Sequence, residues 1–368
     1  MPGADILTFM LAVASGVANG TFPVFIKTPR VLSADVHPVV FQLYKSSWVM
    51  IAGLGCALVR VARGLELAYT PWATASAAAW IPSGVTTIIA VPLIGVGPAV
   101  LTTSAMGSAL SFLVFWLGFG EPMKTHDIGG AEIPLAPVYM LGSIVGMGGL
   151  VAAHRASLRD AARLKRLLAV SALSDSDEQS VALNGDAVAA KPSSRGWARA
   201  KTLLGYVAAS VSGVFSSLQF GVVTYGKSVA GPPPSPTAAD ERFDALGSWL
   251  AAFGVSAVAC TLVAYACLAA YSGARGAPCP PSLELRVMLG PGSGAGIFWT
   301  VANVCATLAV LRGGQATTIA TINCFSLITS GLWGLLWYRE LKGRPAVAWA
   351  VAAAFTAAMS VLLSMEKG

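Results

Sequence analysis

The sequence predicts an all-α polytopic membrane protein, with ten transmembrane helices arranged as two inverted five-helix repeats. Three observations lead there. The chain has 368 residues, of which 55% are hydrophobic and only 11% charged. A soluble domain carries about 25% charged residues, so this chain lacks the polar surface that water requires. Apolar runs long enough to cross ~30 Å of hydrocarbon as helices recur along its length. Third, Trp80 to Glu121 aligns with Trp299 to Glu340 at a constant offset of 219, and ten of the 42 pairs are identical. These include Trp80/Trp299, Gly95/Gly314, Ser111/Ser330 and Glu121/Glu340. Duplicated halves in an apolar chain are the usual build of a secondary transporter.

The spans, numbered one to ten, run over 5–26, 38–59, 72–93, 98–119, 134–154, 202–224, 246–270, 289–311, 315–338 and 345–364. No basic region precedes span one, and the run is too long and polar for a signal peptide, so it is read as a retained span. Pro23, Pro82, Pro92 and Pro98 lie inside or beside spans. Gly142-x-x-x-Gly146 in span five and the alanines of span ten suit close helix packing. Spans five and ten carry little polarity and are expected at the periphery.

Residues 155–201 form the one long hydrophilic segment and divide the chain into 1–154 and 202–368. Arg155, Arg159, Arg163, Lys165 and Arg166 open it, and Ser174-Asp-Ser-Asp-Glu178 follows. A short interfacial helix leading into a disordered linker is expected. Gly231-Pro-Pro-Pro-Ser-Pro236 should be extended and stiff. Five spans per half is an odd number, so the halves insert with opposite orientation about an axis in the membrane plane. Loops on the face of the 155–201 segment hold 16 Lys and Arg against 7 on the face of the termini. The positive-inside rule then places the 155–201 segment in the cytoplasm, although nine of the 16 belong to that segment itself.

The net charge of +7 speaks to topology and anionic headgroups. No basic patch interleaved with aromatics is present, so nucleic acid is not an expected partner. Six cysteines without Cys-x-x-Cys spacing and three scattered histidines suggest neither a disulfide framework nor a metal site. No nucleophile elbow or phosphate loop is present, and neither an enzyme nor a cofactor is expected.

At Trp333-Gly-Leu-Leu-Trp-Tyr-Arg-Glu-Leu-Lys-Gly343 the chain resembles the drug/metabolite transporter superfamily, and more narrowly its glucose/ribose porter-like branch with the transmembrane protein 144 family. The likeness extends upstream through Trp299 and Gly296, and in span six through Ser212, Gly213, Val214, Phe220, Tyr225 and Lys227. Phe41-Gln42 and Pro23 match more loosely. The family tends to carry Pro in spans six and nine, where this chain has Val222, Ala320 and Ser326; Lys45 has no counterpart. The resemblance implies a ten-helix carrier of small organic solutes, carbohydrates above all.

Polar side chains within the membrane face cavities or neighbouring helices. Asn323, Ser326 and Ser330 share one face of span nine, and the offset of 219 pairs them with Ser104, Gly107 and Ser111 of span four. Span eight repeats the spacing with Thr300, Asn303 and Thr307, against the plain Ile81, Gly84 and Ile88 of span three. Hydroxyls can satisfy nearby helix carbonyls; amides need more partners, which points Asn303 and Asn323 at a pathway. Asn19, Gln42 and Gln219 stand open between pathway and helix–helix roles. Trp80 and Trp299 offer sugar platforms or half–half packing. Lys45 lies ~12 Å along span two from His37, so it can snorkel or serve the pathway. Glu121 and Glu340 suggest a latch, or a cap or interfacial ion pair.

No Asp or Glu falls mid-span, and the pathway holds few cations (Lys45 and Arg312), whereas phosphorylated substrates call for cationic clamps. The expected function is a carrier, by alternating access, of a small neutral polar solute of sugar type, seated in the lipid bilayer. The alternatives are a nucleotide-sugar or phosphorylated-metabolite exchanger, and a non-transporting scaffold or sensor. Oligomeric state is not legible.

Overall fold

The computed structural model describes residues 3–176, 193–230, 241–275, 282–337 and 343–367. Ten of its helices are long and apolar enough to cross a membrane: Ile6–Ile26, Pro38–Ala62, Pro71–Ile94, Val96–Gly118, Ala136–Ser157, Ala200–Val229, Ser248–Ala274, Leu285–Gly313, Gln315–Leu336 and Arg344–Met365. The chain is thus an all-α protein with the architecture of an integral, multi-pass membrane protein. These helices are the spans one to ten of the sequence, displaced by a few residues at their ends.

Local chemistry sets most boundaries. Spans two, three and ten begin with proline in the first helical turn, where its missing N–H costs nothing. Spans three and four are separated by Gly95 at φ +88°, and spans eight and nine by Gly314 at φ +73°. A left-handed residue lets one helix stop and the next begin at once, and glycine adopts it without a Cβ clash. Span one is interrupted: its helix ends at Thr21 and a short helix restarts at Pro23. Proline at 23 has no N–H to offer the Asn19 carbonyl four residues back.

Helix pairs come in matched sets. Span one packs on spans eight and nine, and span six on spans three and four. Span two packs on span seven, and span five on span ten. The crossing details match as well. A Cβ on Gly16 would meet Phe325 Cβ at 2.6 Å and the Ile322 carbonyl at 2.7 Å. A Cβ on Gly213 would meet Met106 Cβ at 2.8 Å and the Thr103 carbonyl at 2.6 Å. Ile322 and Phe325 stand 219 residues after Thr103 and Met106. Ser15 donates to the Ala302 carbonyl at 2.8 Å, and Ser212 to the Ser83 carbonyl at 3.0 Å. Those acceptors are again 219 apart. In span five, Gly142 and Gly146 lie against Met359 and Thr356 of span ten, as the small-residue spacing suggested.

Two features depart from expectation. Residues 125–134 form a β-hairpin, Thr125–Ile128 against Ala131–Pro134. Its loop residues Gly129 and Gly130 both have positive φ, +65° and +84°, the geometry of a two-residue hairpin turn. Second, the basic start of the hydrophilic segment is not a separate interfacial helix. The helix of span five continues from Ala136 to Ser176 without a break. Its polar residues are good helix formers, and nothing after Ser157 interrupts the backbone ladder. The Gly231–Pro236 loop, Glu340 and Cys279 lie outside the described residues.

One end of the bundle is clasped. The Lys124 N–H and ammonium donate to the carbonyls of Glu366 and Met365 at 2.8 and 2.6 Å. His126 Nε2 lies 2.8 Å from Glu366 Oε2, and the Lys367 ammonium donates to the Arg312 carbonyl at 2.7 Å. Spans four, five, eight and ten are joined there.

Candidate functional site: a central polar cavity

A cavity with about 800 Å³ of empty volume, open solvent included, lies between spans one, two, three, four, six, eight and nine. No residue of spans five or ten lines it. Asn19, Lys45, Trp80, Gln219, Trp299, Asn303, Asn323 and Ser326 all lie on its wall. Of the nine side chains singled out from the sequence, Gln42 alone is not there. The Gln42 amide fills the place that a side chain at Gly84 would take, and Gly84 itself lines the cavity.

The amides divide by partner. Gln219 Nε2 donates to Asn303 Oδ1 at 2.8 Å, tying span six to span eight. Asn323 donates to Ser108 Oγ at 2.9 Å and to the Ser104 carbonyl at 3.3 Å, tying span nine to span four. Asn19 stands on the wall within the turn that Pro23 interrupts.

Span three is not plain. Ser83 and Thr87 line the cavity together with Ser212. Thr87 Oγ1 and Ser212 Oγ are 2.6 Å apart, and Ser83 Oγ donates to the Ser212 carbonyl at 3.0 Å. The repeat register directed attention to Ile81, Gly84 and Ile88, one to two positions away. The signal was present in the sequence: Ser76, Ser83 and Thr87 fall on one helical stripe. In span eight only Asn303 of the polar triplet faces the cavity. Thr300 and Thr307 donate to the carbonyls of Gly296 and Asn303, four residues earlier.

The tryptophan pair does not present a sugar platform in this conformation. Trp80 and Trp299 stack on each other at 3.7 Å between centroids, and Phe253 packs on both. Each ring packs against the other and against Phe253, while both also border the cavity. Lys45 does not snorkel. It is 1% exposed, and its ammonium sits 4.4 Å from the Phe22 ring centroid and 5.3 and 5.5 Å from those of Trp80 and Trp299. Arg312, the other cation named from the sequence, is not on the wall.

Glu121 has a role the sequence left open. Its carboxylate accepts from the N–H groups of Gln315 at 2.8 Å and Ala316 at 2.9 Å. It therefore caps the start of span nine, where orphan donors and the helix dipole favour an anion. The Gln315 side chain extends the junction by donating to the Ser217 carbonyl at 2.9 Å and Ser111 Oγ at 3.3 Å. This buried glutamine was missed, because in sequence it reads as a turn residue beside Gly314.

No family model and no curated protein matches this sequence. A solved structure described as "Crystal structure of protein" is similar over 98% of this chain and 98% of its own, with a TM-score of 0.50 and 14% identity. At that identity the likeness is one of fold alone.

Proposed function

We propose that the chain is a membrane carrier for a small polyhydroxylated solute of carbohydrate type, working by alternating access, in the manner of the drug/metabolite transporters it resembles. The observation that carries the reading is the cavity: amides and hydroxyls from six spans converge on one space between the helices. Several fixed hydrogen-bonding groups in an apolar pocket suit a ligand with many hydroxyls. The interruption of span one at Pro23, on the cavity wall, is the kind of broken helix from which carriers build solute sites.

Two inverted five-helix repeats, 1–154 and 202–368, are part of the proposal. The matched contacts at Gly16 and Gly213, through residues 219 apart, support it. In this arrangement the halves rock about the cavity, and the 155–201 segment faces the cytoplasm. Uptake of radiolabelled sugars into proteoliposomes tests the reading. Saturable uptake that Asn323→Ala lowers at least tenfold is expected. Absence of uptake across a broad panel of sugars and sugar derivatives would overturn it.

A further inference from the structure

Lys45 is the one cation on the cavity wall, and none of the wall residues is Asp or Glu. The side chain is 1% exposed. Aromatic faces surround its ammonium, and each contributes roughly 0.5–2 kcal/mol of cation–π attraction. Removing an ammonium from water costs several kcal/mol, and its three N–H donors require oxygen acceptors. The rings supply none. Three residues earlier on span two is Gln42, which is 0% exposed. Its amide nitrogen and oxygen both lack a hydrogen-bond partner among the described residues. At i and i+3 the two side chains share a helix face. An unsatisfied buried amide group costs about 1–3 kcal/mol, so Gln42, packed behind Gly84, does not meet the needs of Lys45, whose side chain borders the cavity where a ligand can.

We propose that Lys45 anchors a single carboxylate on the solute, so that the substrate class is a polyhydroxylated monocarboxylate, a sugar acid. The carboxylate supplies the missing counter-charge and oxygen acceptors to Lys45. The amides and hydroxyls of spans one, three, six, eight and nine meet the hydroxyls. One lysine balances one carboxylate. A phosphate monoester carries about −1.5 to −2 at pH 7 and is normally held by arginine forks or several cations, which this wall lacks. The neutral substrate expected from the sequence rested on the scarcity of cations; the burial of Lys45 in the wall changes that expectation. The inference rests on the reading of the cavity as the solute site.

Binding and transport are measured separately, so that the two readings can fail separately. The purified full chain is titrated with a hexuronate, the matching hexose and the hexose 6-phosphate, following thermal stabilisation and tryptophan fluorescence. The hexuronate should bind at least tenfold more tightly than the hexose, and more tightly than the phosphate. Lys45→Met should abolish that preference, and Lys45→Arg should retain part of it. Equal binding of hexuronate and hexose by the wild-type protein would overturn the proposal whatever the variants do. Tighter binding of the phosphate would do the same. Proteoliposomes that take up hexose with no competition from hexuronate would sink the carboxylate anchor and leave the carrier standing. A Lys45-dependent hexuronate preference in a protein that transports nothing would keep the anchor and remove the carrier.

Discussion

Span one meets span nine at Gly16, and span six meets span four at Gly213, through neighbours that stand 219 residues apart. Across the cavity the same offset joins unlike residues. Asn303 of span eight holds Gln219, whereas Gly84 of span three accommodates Gln42. Asn323 of span nine donates to span four at the very residue, Ser104, that is its counterpart. The halves agree where backbones approach and differ where side chains face the cavity. Close helix approach tolerates no added atom. A cavity wall tolerates change and gains specificity from it.

The largest effect should come from breaking the agreement. Gly16→Val and Gly213→Val each place a branched side chain against a carbonyl and a Cβ. Each should lower stability by about 3 kcal/mol, at the upper end of overpacking costs. Thermal unfolding in detergent measures both, and a clear inequality between them would end the equivalence of the two crossings. The next effect concerns the difference. Asn303→Ala leaves Gln219 without its partner and should weaken solute uptake about tenfold, or ~1.4 kcal/mol, whereas Gly84→Ala pushes against the Gln42 amide. If Gly84→Ala leaves uptake unchanged, the Gln42 amide yields without consequence and the contrast between the two positions is structural only.

A third test addresses the end of the bundle. Glu121→Gln keeps the shape but removes the anion that caps span nine, and should cost about 1 kcal/mol, as N-cap losses do. Stability indistinguishable from wild type would show that the carboxylate charge is dispensable there. The smallest effect is set by pH. His37 Nδ1 accepts from the Val39 N–H at the start of span two. Burial lowers the His37 pKa below its usual value, opposed by the nearby Asp35 carboxylate. A histidine whose folded pKa is depressed stabilises fully above the unfolded value of about 6.5, and that stability falls away as pH drops below it. Melting at pH 8 and pH 5 should therefore differ less in His37→Asn than in wild type. An identical difference in the two proteins would remove His37 from the account.

Much of this was legible in the sequence. Ten spans follow from hydropathy alone, because length and apolarity are local properties. The paired turns at Gly95 and Gly314 were legible because only glycine adopts their φ cheaply. The amides and the lysine of the cavity wall were found by asking which such groups lie in mid-span, since lipid has no place for them. Ser83 and Thr87 were missed because the repeat register drew the eye to neighbours on another face. Gln315 was missed because a turn glutamine carries no sign of burial.

By itself the sequence determined the number of membrane-spanning helices, roughly where the apolar runs lie, and which polar groups had to find shelter. Those outcomes depend on the chain's own backbone and on transfer to lipid, and neither requires a neighbour to be known. The tertiary structure alone decided what each sheltered group meets. It turned Trp80 and Trp299 toward each other. It gave Glu121 a helix terminus 194 residues away. It enclosed Lys45 in aromatic faces without a carboxylate. Partners come from helices distant in sequence, and only packing brings them within the few ångströms over which hydrogen bonds and ring contacts act.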